Sequence, residues 1–201
     1  MSDFPIALHG EGITAVVVGA GSVGTRKALA LVESGAKVTV VAPSVSPDLE
    51  EAVRRKVLAV IRDTYQAGQL DRATLVVAAT DSRETNSRIA ADANARGKLV
   101  NIADYPDEGN FHTMALHRSG DVTIAVSAGG VPGAAARIRD AIAERFDGRY
   151  ERAVSALRGL RSRLIASGAD GWRSAAPTLV GDDFCTSVED GTLEEKVESW
   201  R

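Results

Sequence analysis

Residues 13–103 alternate short apolar runs rich in β-branched residues with longer stretches of helical periodicity. Strands are predicted over 13–18, 37–42, 57–61, 74–79 and 98–103. The stretches between them predict crossover helices. This alternation is typical of a parallel sheet covered by helices, and right-handed crossovers give it a Rossmann-like strand order of 3-2-1-4-5.

Helix-capping residues mark the starts of two of these helices. Ser46 followed by Pro47 provides an N-cap and a proline at the first helical position, which predicts a helix start at this point. Asp81 followed by Glu84 predicts a capping box that opens a helix over 82–96.

The pattern changes after Asp104. The first elements that follow are two strands and a helix. These three cannot close a core alone, so they either extend the first sheet or pair with a second subunit. The predicted elements are strands 111–117 and 121–127, helices 133–146 and 147–167, a polar segment 168–183 rich in helix breakers, and a short helix 193–200. The predicted α/β fold therefore has three parts: a Rossmann-like domain 1–110, a small α+β region 111–146, and a helical C-terminal region 147–201 with an irregular tail.

Composition and charge exclude several classes of protein. A net charge of −3 and a pI near 5.7 give no general attraction to nucleic acid or to anionic membranes. Cys185 is the single cysteine, so neither an intrachain disulfide framework nor a multi-cysteine zinc site is expected. The three histidines lack metal-ligand spacing, so no fixed metal site is expected. The chain has no signal-peptide pattern and no apolar run long enough to span a bilayer, which predicts a cytoplasmic protein.

Gly19, Gly21 and Gly24 form a G-x-G-x-x-G motif between the first predicted strand and a helix predicted over 22–33. In this context the motif is typical of dinucleotide binding. The first glycine permits the tight turn, the second lets a pyrophosphate approach the backbone, and the third lets the helix pack on the strand. The helix N-terminus then offers N–H groups and a positive dipole end to the phosphates.

The second predicted strand lacks the acidic residue that usually accepts a hydrogen bond from the cofactor's ribose. Residues 42–47 read Ala-Pro-Ser-Val-Ser-Pro. They contain neither that acid nor the arginine or lysine that would favour a 2′-phosphate. NAD is therefore predicted in preference to NADP.

Asp104 ends the fifth predicted strand, and ligands of open α/β sheets bind beyond the carboxyl ends of the strands. Its carboxylate is a candidate general base or cation ligand, although a loop-capping aspartate would show the same pattern. Asp107 and Glu108 are predicted to be solvated loop charges.

A second turn between a strand and a helix contains Ser127, Gly129 and Gly130. This turn is either another anion-binding helix N-terminus or a simple turn. Arg137 and Arg139 follow on the predicted helix, where they either bind an anionic substrate or form a solvated face.

Four ordered segments resemble the precorrin-2 dehydrogenases, which include the dehydrogenase and ferrochelatase module of siroheme synthases. The segments are VVVGAGSVGTRKALALVESGAKVTVVAP, LVVAATDSRETNSRIA, LVNIADYPDEGNF and DVTIAVSAGGVPGAAARIR, within a resemblance that covers residues 4–145. It implies NAD-dependent oxidation of precorrin-2 to sirohydrochlorin in siroheme biosynthesis, by a homodimer that dimerises through the region after the Rossmann domain. Some members also insert Fe(II) at the same site, and the resemblance leaves this second activity open.

The resemblance also implies roles for individual residues. Asp104 matches the essential aspartate of the family. Together with the glycine motif, the expected cofactor contacts are Gly19, Gly21, Ser22, Val23, Gly24, Pro43, Ser44, Thr80 and Asp81. The expected substrate contacts are Asn101, Ser127, Gly129, Gly130 and Arg137. Because precorrin-2 is a polycarboxylate, Arg26, Lys27 and Arg139 are further candidate cations.

Two other functions stay open at this point. A regulatory Rossmann module that senses NAD without catalysis would not need Asp104 together with a second glycine turn. A chelatase that does not use NAD would not need the glycine motif.

Overall fold

A parallel sheet organises the first part of the chain. The computed structural model describes residues 3–200, for 169 and 170 the backbone only, and within this range the sheet has five strands. They are β1 (Thr14–Val18), β2 (Lys37–Val41), β3 (Ala59–Ile61), β4 (Leu75–Ala78) and β5 (Leu99–Ile102). All neighbouring strands are parallel, in the order β3-β2-β1-β4-β5. The predicted α/β fold class and Rossmann-like strand order are confirmed.

Helices cover both faces of this sheet. They are α1 (Ser22–Glu33), α2 (Pro47–Arg54) and α3 (Arg83–Ala95). Val16 packs in one core with Ile89 of α3, and Val17 packs in a second core with Ala28 of α1. The continuous apolar runs therefore serve two cores, because alternate residues of a strand point to opposite faces. The strand order reverses between β1 and β4, so the crevice where such sheets bind ligands lies at the carboxyl ends of these two strands.

The structure tests the two predicted helix starts. Ser46 caps α2 as predicted, and its Oγ accepts a hydrogen bond from the Leu49 N–H at 3.4 Å. The predicted Asp81 capping box is wrong, because α3 begins one residue later than predicted. Ser82 is the N-cap, and its Oγ accepts from the Thr85 N–H at 3.2 Å. Asp81 lies outside the helix and is exposed.

The chain divides after Thr113 into two compact units, and the second is a β-hairpin followed by helices. β6 (Ala115–Ser119) pairs antiparallel with β7 (Val122–Val126). The helices are α4 (Pro132–Arg145), α5 (Gly148–Ser167), α6 (Ala169–Leu179), α7 (Phe184–Asp190) and α8 (Thr192–Glu198). In the described range no helix has both the length and the apolar character to cross a membrane. The predicted boundaries at residues 110 and 146 stay predictions.

The hairpin starts later than the apolar pattern of 111–117 predicts. The residues before Ala115 lie along β5 instead: the Val100 N–H donates to Asn110 Oδ1 at 2.8 Å, and Asn101 Nδ2 donates to the Phe111 carbonyl at 3.1 Å. The prediction of a strand from residue 111 is therefore wrong, because side-chain hydrogen bonds hold this segment on β5.

The predicted irregular tail is also wrong, since α6 occupies most of residues 168–183. Trp172, Ala175 and Leu179 lie on one face of α6 and pack in a core with Leu160 of α5. Pro177 stands in the last turn of α6, where its missing N–H removes one helical hydrogen bond, and the burial of this face favours the helix in spite of the proline.

Candidate functional site

The glycine motif joins β1 to α1 through a turn that requires glycine at two positions. Gly19 has a φ of 103°, and a Cβ there would lie 2.2 Å from the Ala79 carbonyl oxygen. A Cβ on Gly24 would lie 2.1 Å from the Gly19 carbonyl oxygen. These two glycines permit the tight turn and the close packing of α1 on the sheet.

Gly21 differs from its neighbours, since a Cβ there would meet no described atom within 4 Å. It is the N-cap of α1, and within the described residues no side chain caps this helix. Ser22 and Val23, the first residues of α1, are exposed. Their N–H groups and the positive end of the helix dipole are open to an anion, so the residues present fit the pyrophosphate of a dinucleotide.

An open cavity of about 750 Å³ extends from the glycine motif along α1 to the start of α2. A chain of hydroxyl groups sets the spacing between the motif and α2. Thr25 donates to the Ala20 carbonyl at 3.2 Å, and the Ser46 hydroxyl donates to Thr25 Oγ1, with 3.2 Å between the two oxygens. The side chains that line the cavity include Ser22, Thr25, Arg26, Glu33, Ser46 and Asp48.

Arg26, Glu33 and Asp48 place one positive and two negative charges in this cavity. Pro43 and Ser44, the predicted contacts after β2, are exposed and do not line it. Lys27, another candidate cation, has a protein partner: its Nζ donates to Thr113 Oγ1 at 3.1 Å. Burial, and secondly the charge of Arg26, lower the pKa of Lys27.

The loop after β4 is held by Thr80 and Asn86. Asn86 Oδ1 accepts from the Thr80 N–H at 3.1 Å and from the Thr80 hydroxyl at 2.7 Å, and its Nδ2 donates to the Thr80 carbonyl at 3.2 Å. The Ser82 N–H donates to Thr80 Oγ1 at 3.2 Å. The Thr80 hydroxyl therefore shapes the loop from within, while the neighbouring Asp81 is exposed. Cofactor contacts at Thr80 and Asp81 stay predictions.

Asp104 lies two residues beyond β5 and is exposed. Its Oδ1 accepts a hydrogen bond from Asn86 Nδ2 at 3.0 Å. One buried asparagine therefore connects the candidate general base to the loop after β4, at the carboxyl edge of the sheet.

An ion pair holds the loop that follows Asp104. Arg83 donates to Glu108 through both terminal nitrogens, with Nη1 2.9 Å from Oε2, and its guanidinium lies 3.9 Å from the centre of the Tyr105 ring. The hydrogen bond from Arg83 lowers the pKa of Glu108. The same bond, and to a smaller extent the charges of Glu108 and Asp104, raises the pKa of Arg83. Glu108 is thus a partly exposed loop charge, and it is also paired with Arg83, which the sequence did not indicate.

Asn101 is buried on β5, and the nitrogen of its side-chain amide is hydrogen-bonded. Its Nδ2 donates to the Phe111 carbonyl, as described above. Its Oδ1 has no partner, and it is the one buried side-chain nitrogen or oxygen of the described residues in this condition. Asn101 therefore offers a hydrogen-bond acceptor to an N–H or O–H donor.

The remaining predicted substrate residues lie in the second unit. Gly129 and Gly130 have φ values of 54° and 81°, and a Cβ on either would meet no described atom within 4 Å. Ser127 precedes them after β7, and Arg137 is exposed on α4. The place of these residues beside Asp104 stays a prediction.

Sequence reasoning missed Asn86, which a spacing argument could have found. The buried face of α3 consists of Asn86, Ile89, Ala90 and Ala93, at positions i, i+3, i+4 and i+7. A polar side chain at a core position of an amphipathic helix must find hydrogen-bond partners, so its presence there points to a structured polar network. The same reasoning did not place Arg26 in one cavity with Ser46, because the two residues are remote in sequence.

Known proteins resemble this chain over most of its length. Residues 6–115 match the family model described as "Putative NAD(P)-binding". Siroheme synthase of Chromobacterium violaceum is 34% identical over 98% of this chain, and that of Methylobacillus flagellatus is 33% identical over 69%. The chain spans 41% and 30% of the lengths of these two relatives. A solved structure of SirC, precorrin-2 dehydrogenase, superposes with a TM-score of 0.80 at 25% identity, covering 98% of this chain and 100% of the other.

Proposed function

Because the chain belongs to the precorrin-2 dehydrogenase family, we propose that it oxidises precorrin-2 to sirohydrochlorin in siroheme biosynthesis, with NAD as the hydride acceptor. The observation that carries the proposal is the exposed carboxylate of Asp104, hydrogen-bonded through Asn86 to the loop after β4. It lies in the unit whose glycine motif fits a dinucleotide.

Different residues of the chain bind the cofactor and accept the proton. When bound, NAD supplies the acceptor for the hydride that leaves the substrate. The N–H groups at the start of α1 hold the pyrophosphate. The Asp104 carboxylate accepts the accompanying proton and, being exposed, releases it to water, so one hydride and one proton leave precorrin-2 in each turnover.

The direct test supplies the protein with precorrin-2 and NAD, and follows NADH absorbance together with the spectrum of sirohydrochlorin. Equal amounts of the two products are expected. Fe(II), added afterwards as a substrate, shows whether the same site also forms siroheme. NAD binding without any turnover would support the NAD-sensing module instead, and iron insertion without NAD affinity would support a chelatase alone.

The preference for NAD rests on the charges around the ribose site. The residues after β2 provide no cation, and the Arg26 charge in the nearby cavity is offset by Asp48 in the same cavity. A 2′-phosphate would meet this carboxylate as well as the arginine, whereas a 2′-hydroxyl would carry no such cost.

Asp48→Asn is expected to raise the affinity for NADP relative to NAD by about two- to fivefold, the upper part of the range for one exposed charge pair. The measurement is the ratio of the two Kd values from fluorescence titrations without substrate. Glu33→Gln is the matched control, since it removes the same charge from the far end of the same cavity. Equal changes in both variants would contradict a local role for Asp48, and so would an unchanged ratio.

We also propose that the chain forms a cytoplasmic homodimer through the second unit. Val122 of the hairpin packs against the helices of its unit, but alternate residues of β6 and β7 are exposed and none of the ten is buried. Exposed apolar side chains in this unit include Leu116, Val131 and Ile138. Sedimentation of the purified protein tests the dimer, and a monomer at micromolar concentration would contradict it.

A further inference from the structure

Asn86 uses every hydrogen-bonding position of its side chain. Oδ1 accepts two hydrogen bonds from Thr80, and Nδ2 donates one to the Thr80 carbonyl and one to Asp104 Oδ1. A side-chain amide has two acceptor sites and two donor hydrogens, so its capacity is full. The residue is fully buried in the first turn of α3, where no water is available to replace a lost partner.

Thr80 sets the orientation of this amide. Its backbone N–H and carbonyl bond to opposite ends of the amide group, so the amide plane of Asn86 follows the backbone of the loop after β4. The remaining Nδ2 hydrogen points to Asp104 as a result, and it makes a 3.0 Å bond to Oδ1.

The bond distinguishes the two oxygens of Asp104. Oδ1 is held by Asn86, and within residues 3–200 no other hydrogen bond reaches this carboxylate. Oδ2 keeps both lone pairs open, and the bond to Oδ1 lowers the proton affinity of that oxygen, so the proton is expected on Oδ2. A single fixed donor also limits rotation of the carboxylate, and catalytic groups lose efficiency steeply when they are displaced.

We propose that Asn86 is a positioning residue for the dehydrogenase reaction: it holds Asp104 by Oδ1, so that Oδ2 takes the proton, and it ties this carboxylate to the loop after β4. The inference rests on the proposed function for the identity of the reaction. The hydrogen bonds that carry it do not depend on that function.

Asn86→Ala is expected to lower kcat by about 10- to 100-fold, the loss typical of a misplaced catalytic group, with little change in the KM for precorrin-2. Asn86→Asp keeps an acceptor for both Thr80 donors but removes the two donations from Nδ2, to Asp104 and to the Thr80 carbonyl. In this variant kcat should fall as well, and the Kd for NAD, measured without substrate, reports separately any change in the loop at Thr80. An unchanged kcat in both variants would overturn the proposal.

A double-mutant cycle separates positioning from general support of the fold. If Asn86 acts through Asp104, Asn86→Ala should lower kcat no further in an Asp104→Asn background. Additive losses would show that Asn86 does not act through this carboxylate and would overturn the proposal. Asn94→Ala is the matched control, because Asn94 is an exposed asparagine of the same helix that bonds Asn110 instead. Its kcat should equal that of the unmodified chain.

An NMR test keeps the proposal testable if the Asn86 variants do not fold, because it leaves Asn86 in place and changes its partner. In the NMR spectrum, the side-chain amide signals of Asn86 are expected to shift in Asp104→Ala but not in Asp107→Ala. Signals that do not respond to Asp104 would overturn the proposal. This result does not require turnover, so a chain that shows the shift but makes no NADH from precorrin-2 would contradict the proposed function and not the contact.

Discussion

Asp104→Ala is expected to lower kcat for precorrin-2 oxidation by about 10²- to 10⁴-fold, the range typical of removing a general base. The carboxylate is tied through Asn86 to the loop after β4, and its exposure lets it exchange the proton with water. The Kd for NAD should change little, since Asp104 lies beyond β5 and not at the glycine motif. Initial rates of NADH formation and a titration with NAD measure the two quantities.

Two further variants separate proton transfer from shape and charge. Asp104→Asn keeps an oxygen that accepts from Asn86 but is a poor proton acceptor, so we expect nearly the same loss of kcat. Asp107→Asn removes a carboxylate three residues further along the same loop and should leave kcat unchanged. Full turnover by Asp104→Ala would refute its role as base, and an equal loss in Asp107→Asn would point to the general charge of the loop.

The sheet could be predicted from sequence because its signals are local and repeated. Each buried strand is a run of apolar residues that serves two cores, and the crossover rule then orders the strands. The helix that begins at Pro47 was found from Ser46 for the same reason, since a cap is a contact between residues three apart.

The errors occurred where distant contacts override a local pattern. Phe111 belongs to an apolar run typical of a strand, but Asn101 and Asn110 hold the segment along β5. α6 contains Pro177 and several polar residues, and it is helical because Trp172 and Leu179 pack against α5. No window of a few residues contains these partners, so local propensity predicts a loop where tertiary packing forms a helix.

The candidate site likewise combines a feature that local sequence predicts with contacts that only the fold creates. Asp104 could be predicted because the carboxyl ends of parallel strands meet at one edge of the sheet. The bond between Asp104 and Asn86 joins residues 18 positions apart, and only the fold brings them to 3.0 Å. Arg26 likewise reaches the cavity beside Ser46 because α1 and α2 lie on the same face of the sheet.

Gly21→Ala is expected to weaken NAD binding by about 10- to 100-fold, or about 1.4–2.8 kcal/mol, without loss of the fold. Gly21 has a φ of −69°, which alanine adopts without strain, and a Cβ there would meet no described atom within 4 Å. The apo protein should therefore unfold at the same temperature or slightly higher, because alanine reduces the entropy of the unfolded chain. The added methyl group would stand in the space that the pyrophosphate needs in order to reach the N–H groups of α1.

Gly12→Ala is the matched control for this prediction. A Cβ on Gly12 also meets no described atom within 4 Å, but Gly12 precedes β1 and lies apart from the glycine motif in sequence. Its Kd for NAD should equal that of the unmodified chain, while thermal unfolding and NAD titration of both variants measure stability and binding separately. A Gly21→Ala variant that binds NAD normally would show that the cofactor does not approach α1 at this point, and one that unfolds at a clearly lower temperature would show that Gly21 serves the fold instead. The specific loss of affinity is expected because a Cβ on Gly21, unlike one on Gly19 or Gly24, would meet none of the described atoms of the protein within 4 Å.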